Sequence, residues 1–142
     1  KELGLSRSVL FAGKVDEAEK VEHYSRHWAA IQPSSFEGWG LTVIEANACG
    51  TPVIASNVYG LRDSVVDEKT GLLVQPRNVL SFAGAMERMI TKTGDRRAWS
   101  RNATVWAQNF SWDKSADRLY TVITDELNNA KQAVPAYTLA QR

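Results

Sequence analysis

Two acidic residues eight positions apart, Glu37 and Glu45, bracket a segment suited to a charged ligand. Between them Gly38 and Gly40 bring bare backbone forward in a loop, and the run from Leu41 to Ala48 reads as a helix. Gly50 closes it, because glycine readily takes the left-handed conformation that helices need to stop. A strand, a loop and a helix start in succession leave several unpaired amide N–H groups facing the crevice beyond the strand's carboxyl end. That is a natural seat for a diphosphate. Glu45, about one turn into the helix, can accept two hydrogen bonds from a vicinal diol, as an acidic residue does with ribose in dinucleotide sites. Glu37, on the loop, falls on the other side of the phosphates, where a sugar would lie. Bare phosphate would be repelled by two carboxylates, whereas a nucleotide sugar gives each of them a partner.

Plainer readings stand beside these. A glutamate near a helix amino terminus favours the helix through its dipole, and Glu37 in a glycine-containing loop can simply be solvated. Trp39 either shields the site or plugs the junction between loop and core. Cys49, the single cysteine, is a small buried side chain with no histidine nearby in sequence to activate it, and it rules out an intramolecular disulfide and any cysteine-based zinc site. His23 and His27 have metal-ligand spacing on a helix but no third ligand close by, which reads as a partly exposed face, so no metal is expected. Trp99, Trp106 and Trp112 recur at helical spacing and read as core, not as a carbohydrate platform.

The elements that must hold this segment alternate between short apolar runs bounded by Gly or Pro and longer stretches of helical spacing, which argues for parallel βαβ units. Val9 to Ala12 reads as a buried strand stopped at Gly13. Asp16 and Glu19 form a capping-box start for a helix through about Arg26. Strands follow at Ala29 to Ile31, Pro52 to Ala55 and Gly71 to Val74, with a helical turn around Asp63 to Val66. Asn78 caps a helix whose expected core face is Val79, Phe82, Ala83, Met86 and Ile90. Asp95 begins another helix, and Ser111 caps a last one with the stripe Trp112, Ala116, Leu119, Tyr120, Ile123 and Leu127. The expected unit is residues 1–134, with 135–142 a frayed tail.

The 142 residues suffice for one core, and 17 basic against 16 acidic residues, a net charge of +1 without long blocks of one sign, exclude a nucleic-acid or polybasic membrane binder. No stretch approaches the roughly 18 apolar residues of a membrane span, and Lys1-Glu2-Leu3-Gly4 lacks a signal peptide's apolar core. A lone cysteine fits a reducing, cytoplasmic setting.

The run from Ser34 to Ser56 resembles the E-x7-E signature region of glycosyltransferase family 4, with its Cys-Gly-Thr-Pro-Val strand entry at residues 49–53. Further similarity lies at Val9 to Val15, at Gly60, at Thr70 to Val74 and at Phe110-Ser111-Trp112. The resemblance implies an α/β, Rossmann-like parallel sheet, the carboxy-terminal half-domain of a GT-B fold with a helical tail. It also implies a retaining, metal-independent enzyme that transfers a sugar from a nucleotide diphosphate sugar to a carbohydrate or lipid-linked acceptor. Carried over by residue, Glu37 would contact the donor sugar and support charge at the anomeric centre, and Glu45 would bind the ribose diol. The backbone from Gly38 through Trp39, Gly40 and Leu41 to Thr42 would meet the diphosphate, and Gly13, Lys14 and Val15 would lie by the base.

The departure from the family pattern is at the front, where two strands, an Arg and a Lys that pair with the diphosphate, and the amino-terminal acceptor domain are not seen. In the implied strand order 3-2-1-4-5-6 the strand at Val9 and the one at Ile31 are separated by those two. The chain is therefore expected to be a fragment that works with a missing amino-terminal half, peripheral to a membrane if that half is, or else to move its first strand beside the second. The latter would bare apolar sheet surface for a second copy to cover, a homodimer. Two other functions share the architecture: a sugar phosphorylase or epimerase, and an inactive glycosyltransferase-like binding module.

Overall fold

The computed structural model describes residues 3–133, so the expectation for the tail 135–142 lies outside the described residues. The chain divides into two compact units, Lys1–Ala107 and Gln108–Arg142.

In the first unit, α1 (Glu17–Arg26) opens on the capping box read from the sequence. The Glu19 amide donates to Asp16 Oδ1 at 2.8 Å, and the Asp16 amide donates to Glu19 Oε2 at 3.1 Å. There follow β1 (Ala30–Gln32), α2 (Leu41–Ala48), β2 (Val53–Ser56), α3 (Leu61–Ser64), β3 (Gly71–Val74), α4 (Val79–Thr91) and α5 (Thr93–Ala107). The strands form a parallel sheet in the order β1-β2-β3, with Ile31 opposite Ile54 and Ile54 opposite Leu72.

All four residues of β2 are buried, because this central strand is covered on both faces. Strand alternation sends Val53 and Ala55 into a cluster with Val43, Ala46, Leu61 and Val65. It sends Ile54 the other way, onto Leu72, Ala85, Met89 and Trp99. Two tryptophans tie distant segments to this core: Trp99 Nε1 donates to the Glu68 carbonyl, in a loop, at 2.6 Å, and Trp106 Nε1 donates to the Ser64 carbonyl, at the end of α3, at 2.8 Å. Gly71 brings β3 so close to β2 that a Cβ there would sit 2.0 Å from the Val53 carbonyl oxygen.

Three expectations are corrected. Val9 to Ala12 is not a strand, and Leu10 and Phe11 are 86% and 92% exposed. It lies in no sheet, and β1 pairs only with β2 among the described residues. An apolar run becomes a parallel strand only where a neighbour satisfies its ladder of N–H and C=O groups, and among the described residues no strand lies beside this run. The core face of α4 is Phe82, Ala85 and Met89, while Val79, Met86 and Ile90 are exposed. Both sets obey helical spacing, and the positions of Leu72 and Trp99 select between them. Trp112, expected in the core, is exposed.

The second unit contains α6 (Trp112–Ala133), opened by Ser111, whose Oγ accepts from the Lys114 amide at 3.1 Å. Lys114 Nζ reaches back to the Gln108 carbonyl at 2.6 Å.

Candidate functional site

The loop Pro33 to Gly40 connects β1 to α2 at the carboxyl end of the sheet. Gly40 makes the entry possible: it takes a left-handed conformation (φ 90°, ψ 60°) as the N-cap of α2, and no side chain caps the helix. A Cβ at Gly40 would meet Leu61 Cδ2 at 2.7 Å, so the bare backbone is also demanded by packing. In the first turn of α2 the Val43 amide donates to the Gly40 carbonyl at 2.9 Å, while the amides of Leu41 and Thr42, ahead of it, have no acceptor within the helix.

Gln32, Glu37, Gly38, Trp39, Gly40, Leu41 and Thr42 line one cleft of about 440 Å³. Six of these seven are residues that the sequence singles out, and Gln32 is the addition. Glu37 is half-buried, its Oε2 accepting from Gln32 Nε2 at 3.3 Å and from Ser34 Oγ at 3.4 Å. Gln32 Nε2 also donates to Ser34 Oγ at 2.9 Å, and Gln32 Oε1 accepts from Thr42 Oγ1 at 3.3 Å.

Glu45 lies about one turn into α2 but presents its carboxylate to α1, where Lys20 Nζ stands 3.2 Å from its Oε2. Lys20 also pairs with Glu17 at 2.9 Å. Hydrogen bonds to Glu17 first and Glu45 second hold the Lys20 ammonium above its ordinary value. Burial, and then the Glu45 carboxylate, push the Tyr24 hydroxyl up. Glu45 is thus a partly exposed carboxylate beside α1. Gly13, at φ +73°, and Lys14 are exposed on the stretch that leads into that helix, with Val15 half-buried. The structure therefore gathers Glu37 to Thr42 into one cleft, sets Glu45 on the α1 side of α2, and leaves Gly13 to Val15 outside the residues lining that cleft.

Two contributors escape a reading of the sequence. Gly60 lies against the loop so closely that a Cβ would stand 2.2 Å from the Glu37 carbonyl oxygen and 2.8 Å from Gly38. Its φ of +63° with ψ of −54° is a second demand for glycine. A glycine before a short helix is an ambiguous signal, since turn geometry alone accounts for it. Gln32 carried a usable one: a polar residue at the carboxyl end of a strand, where ligands of parallel α/β sheets bind.

Cys49 is a half-buried free thiol at the end of α2. His27 Nδ1 is hydrogen-bonded to the His23 carbonyl, an intrahelical arrangement. Among the described residues, no group of three His, Cys, Asp or Glu side chains is placed to hold a metal ion, and no helix is long and apolar enough to cross a membrane.

Parallel strands flanked by helices, with a glycine-bounded loop opening onto a helix start at their carboxyl end, define a Rossmann-like α/β domain of the GT-B type. Residues 1–106 match the model of the family described as Glycosyl transferases group 1, and the chain belongs to that family. It is 36% identical over 132 residues to D-inositol 3-phosphate glycosyltransferase of Acidothermus cellulolyticus, covering 93% of this chain and 29% of that protein. Sucrose-phosphate synthase of Thermosynechococcus elongatus superposes with a TM-score of 0.82 at 35% identity, over 90% of this chain and 32% of the other. HepE of Anabaena, solved with UDP-glucose, shares the fold at a TM-score of 0.79 and 22% identity, over 87% of this chain and 34% of the other. The chain thus spans about a third of the length of the relatives it matches.

Proposed function

We propose that this chain supplies the donor side of a retaining glycosyltransferase, the carboxy-terminal domain that binds a nucleotide diphosphate sugar. The acceptor, a carbohydrate or lipid-linked sugar, would be held by an amino-terminal half outside this sequence. The observation that carries the reading is the uncapped start of α2, which opens on a cleft that also holds the Glu37 carboxylate. The amides of Leu41 and Thr42, which no helix carbonyl engages, attract the diphosphate, and the helix dipole favours its charge most strongly as the sugar–phosphate bond breaks and the leaving group gains charge. Glu37 accepts a hydrogen bond from a donor-sugar hydroxyl and offsets positive charge at the anomeric carbon. Glu45 accepts from the ribose diol, and its contact with Lys20 at 3.2 Å holds the carboxylate against α1. Gly13 to Val15, ahead of α1, meet the base with their backbone. These roles need no metal ion.

The test is calorimetric titration with UDP and GDP, comparing the native chain with Glu45→Ala. The expected result is measurable binding of at least one nucleotide by the native chain, weakened about tenfold or more by the substitution. Binding that is indifferent to Glu45 would remove the ribose assignment. No binding of either nucleotide would leave the donor-site reading without support and favour a non-enzymatic module.

A further inference from the structure

We propose that Gln32 is a positioning residue that aims the Glu37 carboxylate and so governs which donor sugar the cleft prefers. The inference rests on the donor-site reading and adds to it a determinant of sugar selectivity.

Gln32 is the last residue of β1, half-buried, and it borders two cavities: the cleft of Glu37 to Thr42, and a second, of about 260 Å³, lined by residues of α1, β1 and α2. The two ends of its amide do different work. Nε2 donates to Ser34 Oγ at 2.9 Å and to Glu37 Oε2 at 3.3 Å, while Oε1 accepts from Thr42 Oγ1 at 3.3 Å. An ionised carboxylate only accepts, so a residue bridging Glu37 to a donating hydroxyl must itself be donor and acceptor at once. A primary amide is such a group. A glutamate or a leucine of similar size is not.

The clamp joins three elements at one point: β1 through Gln32, the loop through Ser34 and Glu37, and the first turn of α2 through Thr42. Both bonds to the carboxylate fall on Oε2. That leaves Oε1, on a residue that lines the cleft, as the carboxylate oxygen open to a ligand. A single oriented acceptor favours the sugar whose hydroxyl lies on that line over an epimer whose hydroxyl does not, and such a hydrogen bond discriminates more sharply than apolar contact. Without the amide, Glu37 turns about its side-chain bonds, and the preference fades while the diphosphate seat on the α2 backbone persists.

The test measures affinities of the native chain, Gln32→Glu, Gln32→Leu and Ser34→Ala for UDP, UDP-glucose and UDP-galactose, with GDP, GDP-glucose and GDP-mannose in parallel. For the native chain one sugar ester is expected to bind more tightly than its epimer. Gln32→Leu is expected to reduce that preference about tenfold while affinity for the bare nucleoside diphosphate stays within about twofold, and Gln32→Glu to reduce the preference likewise with a further loss common to every ligand, because its added carboxylate repels the diphosphate. A merely structural role would weaken diphosphate and sugar ester together. Ser34→Ala, which spares the Gln32 bridge between Glu37 and Thr42, is expected to have a smaller effect in the same direction and keeps the test open if a Gln32 variant fails to fold. The proposal is overturned if the preference survives loss of the amide, if all ligands lose affinity in parallel, or if the native chain does not distinguish epimers. Failure of every nucleotide to bind the native chain defeats the donor-site reading itself, a result distinct from these three.

Discussion

The segments Val9 to Val15 and Ser34 to Ser56 share a composition, apolar runs punctuated by glycine, and both resemble the same family. Yet one is built and the other is not. The second contains β1's exit, the loop, α2 and β2, and its strand β2 is paired on both sides and buried at every residue. The first leaves Leu10 and Phe11 exposed and forms no ladder. The difference lies in neighbours. A helix closes its hydrogen bonds within itself, whereas a parallel strand borrows every partner from a chain segment a dozen or more residues away. Where β3 and β1 flank β2 the apolar run is consumed as core; where, among the described residues, no strand flanks it, the same kind of run gains nothing from extension.

The contrast can be broken most severely at Gly60. Gly60→Ala puts a methyl against the Glu37 carbonyl in a backbone conformation that disfavours side chains. It is expected to destabilise the fold by roughly 3–5 kcal/mol in urea denaturation, combining overpacking with backbone strain, and to distort the loop ahead of α2. A change under about 1 kcal/mol would show that the loop yields easily and is not held by this contact.

Next in size is a matched pair of substitutions in the two segments. Ile54→Ala, in the middle of β2, is expected to cost about 2–5 kcal/mol, and Leu10→Ser is expected to stay within about 0.5 kcal/mol. Comparable losses at both sites would mean that Val9 to Ala12 is packed in solution, and the contrast would fail. Asp16→Ala removes the cap of α1 and is expected to cost about 1 kcal/mol, showing that the local signal next to the unpaired run carries its own stability.

The smallest effect belongs to acid. The hydrogen bond from Arg88, whose Nη2 lies 2.6 Å from Glu68 Oε2, holds the Glu68 carboxyl below its ordinary value. A lowered carboxylate contributes stability above its unfolded-state value and loses it as pH falls through the folded-state value. Glu68→Gln should therefore lower stability slightly near neutrality, with the difference from the native chain fading as pH drops below about 4.5. Solvent screening at this exposed pair keeps the change small. A difference that grows toward acid would contradict the assigned sign.

Much of the site was legible because its instructions are local. Glu37, Gly38 and Gly40 follow a strand and precede a helix, Gly50 follows the last turn, and Pro52 opens the next strand. The structure reproduces that order from β1 through α2 to β2. What stayed hidden in the site were contacts between distant positions: Gly60 on Glu37, and Lys20 on Glu45. The Gln32 amide lies ten residues before Thr42, and its two-sided use depends on how the loop folds back.

Taken alone, the sequence determined the start of α1 at its capping box, the extent of α2 and the parallel α/β character of the fold, since each is encoded in capping, helical period or strand period within a few residues. Tertiary structure decided which apolar stripe of α4 enters the core, whether Val9 to Ala12 becomes a strand, and how the loop between β1 and α2 is clamped. Those outcomes depend on ladders and close approaches between residues far apart in the chain, and no local pattern specifies the partner.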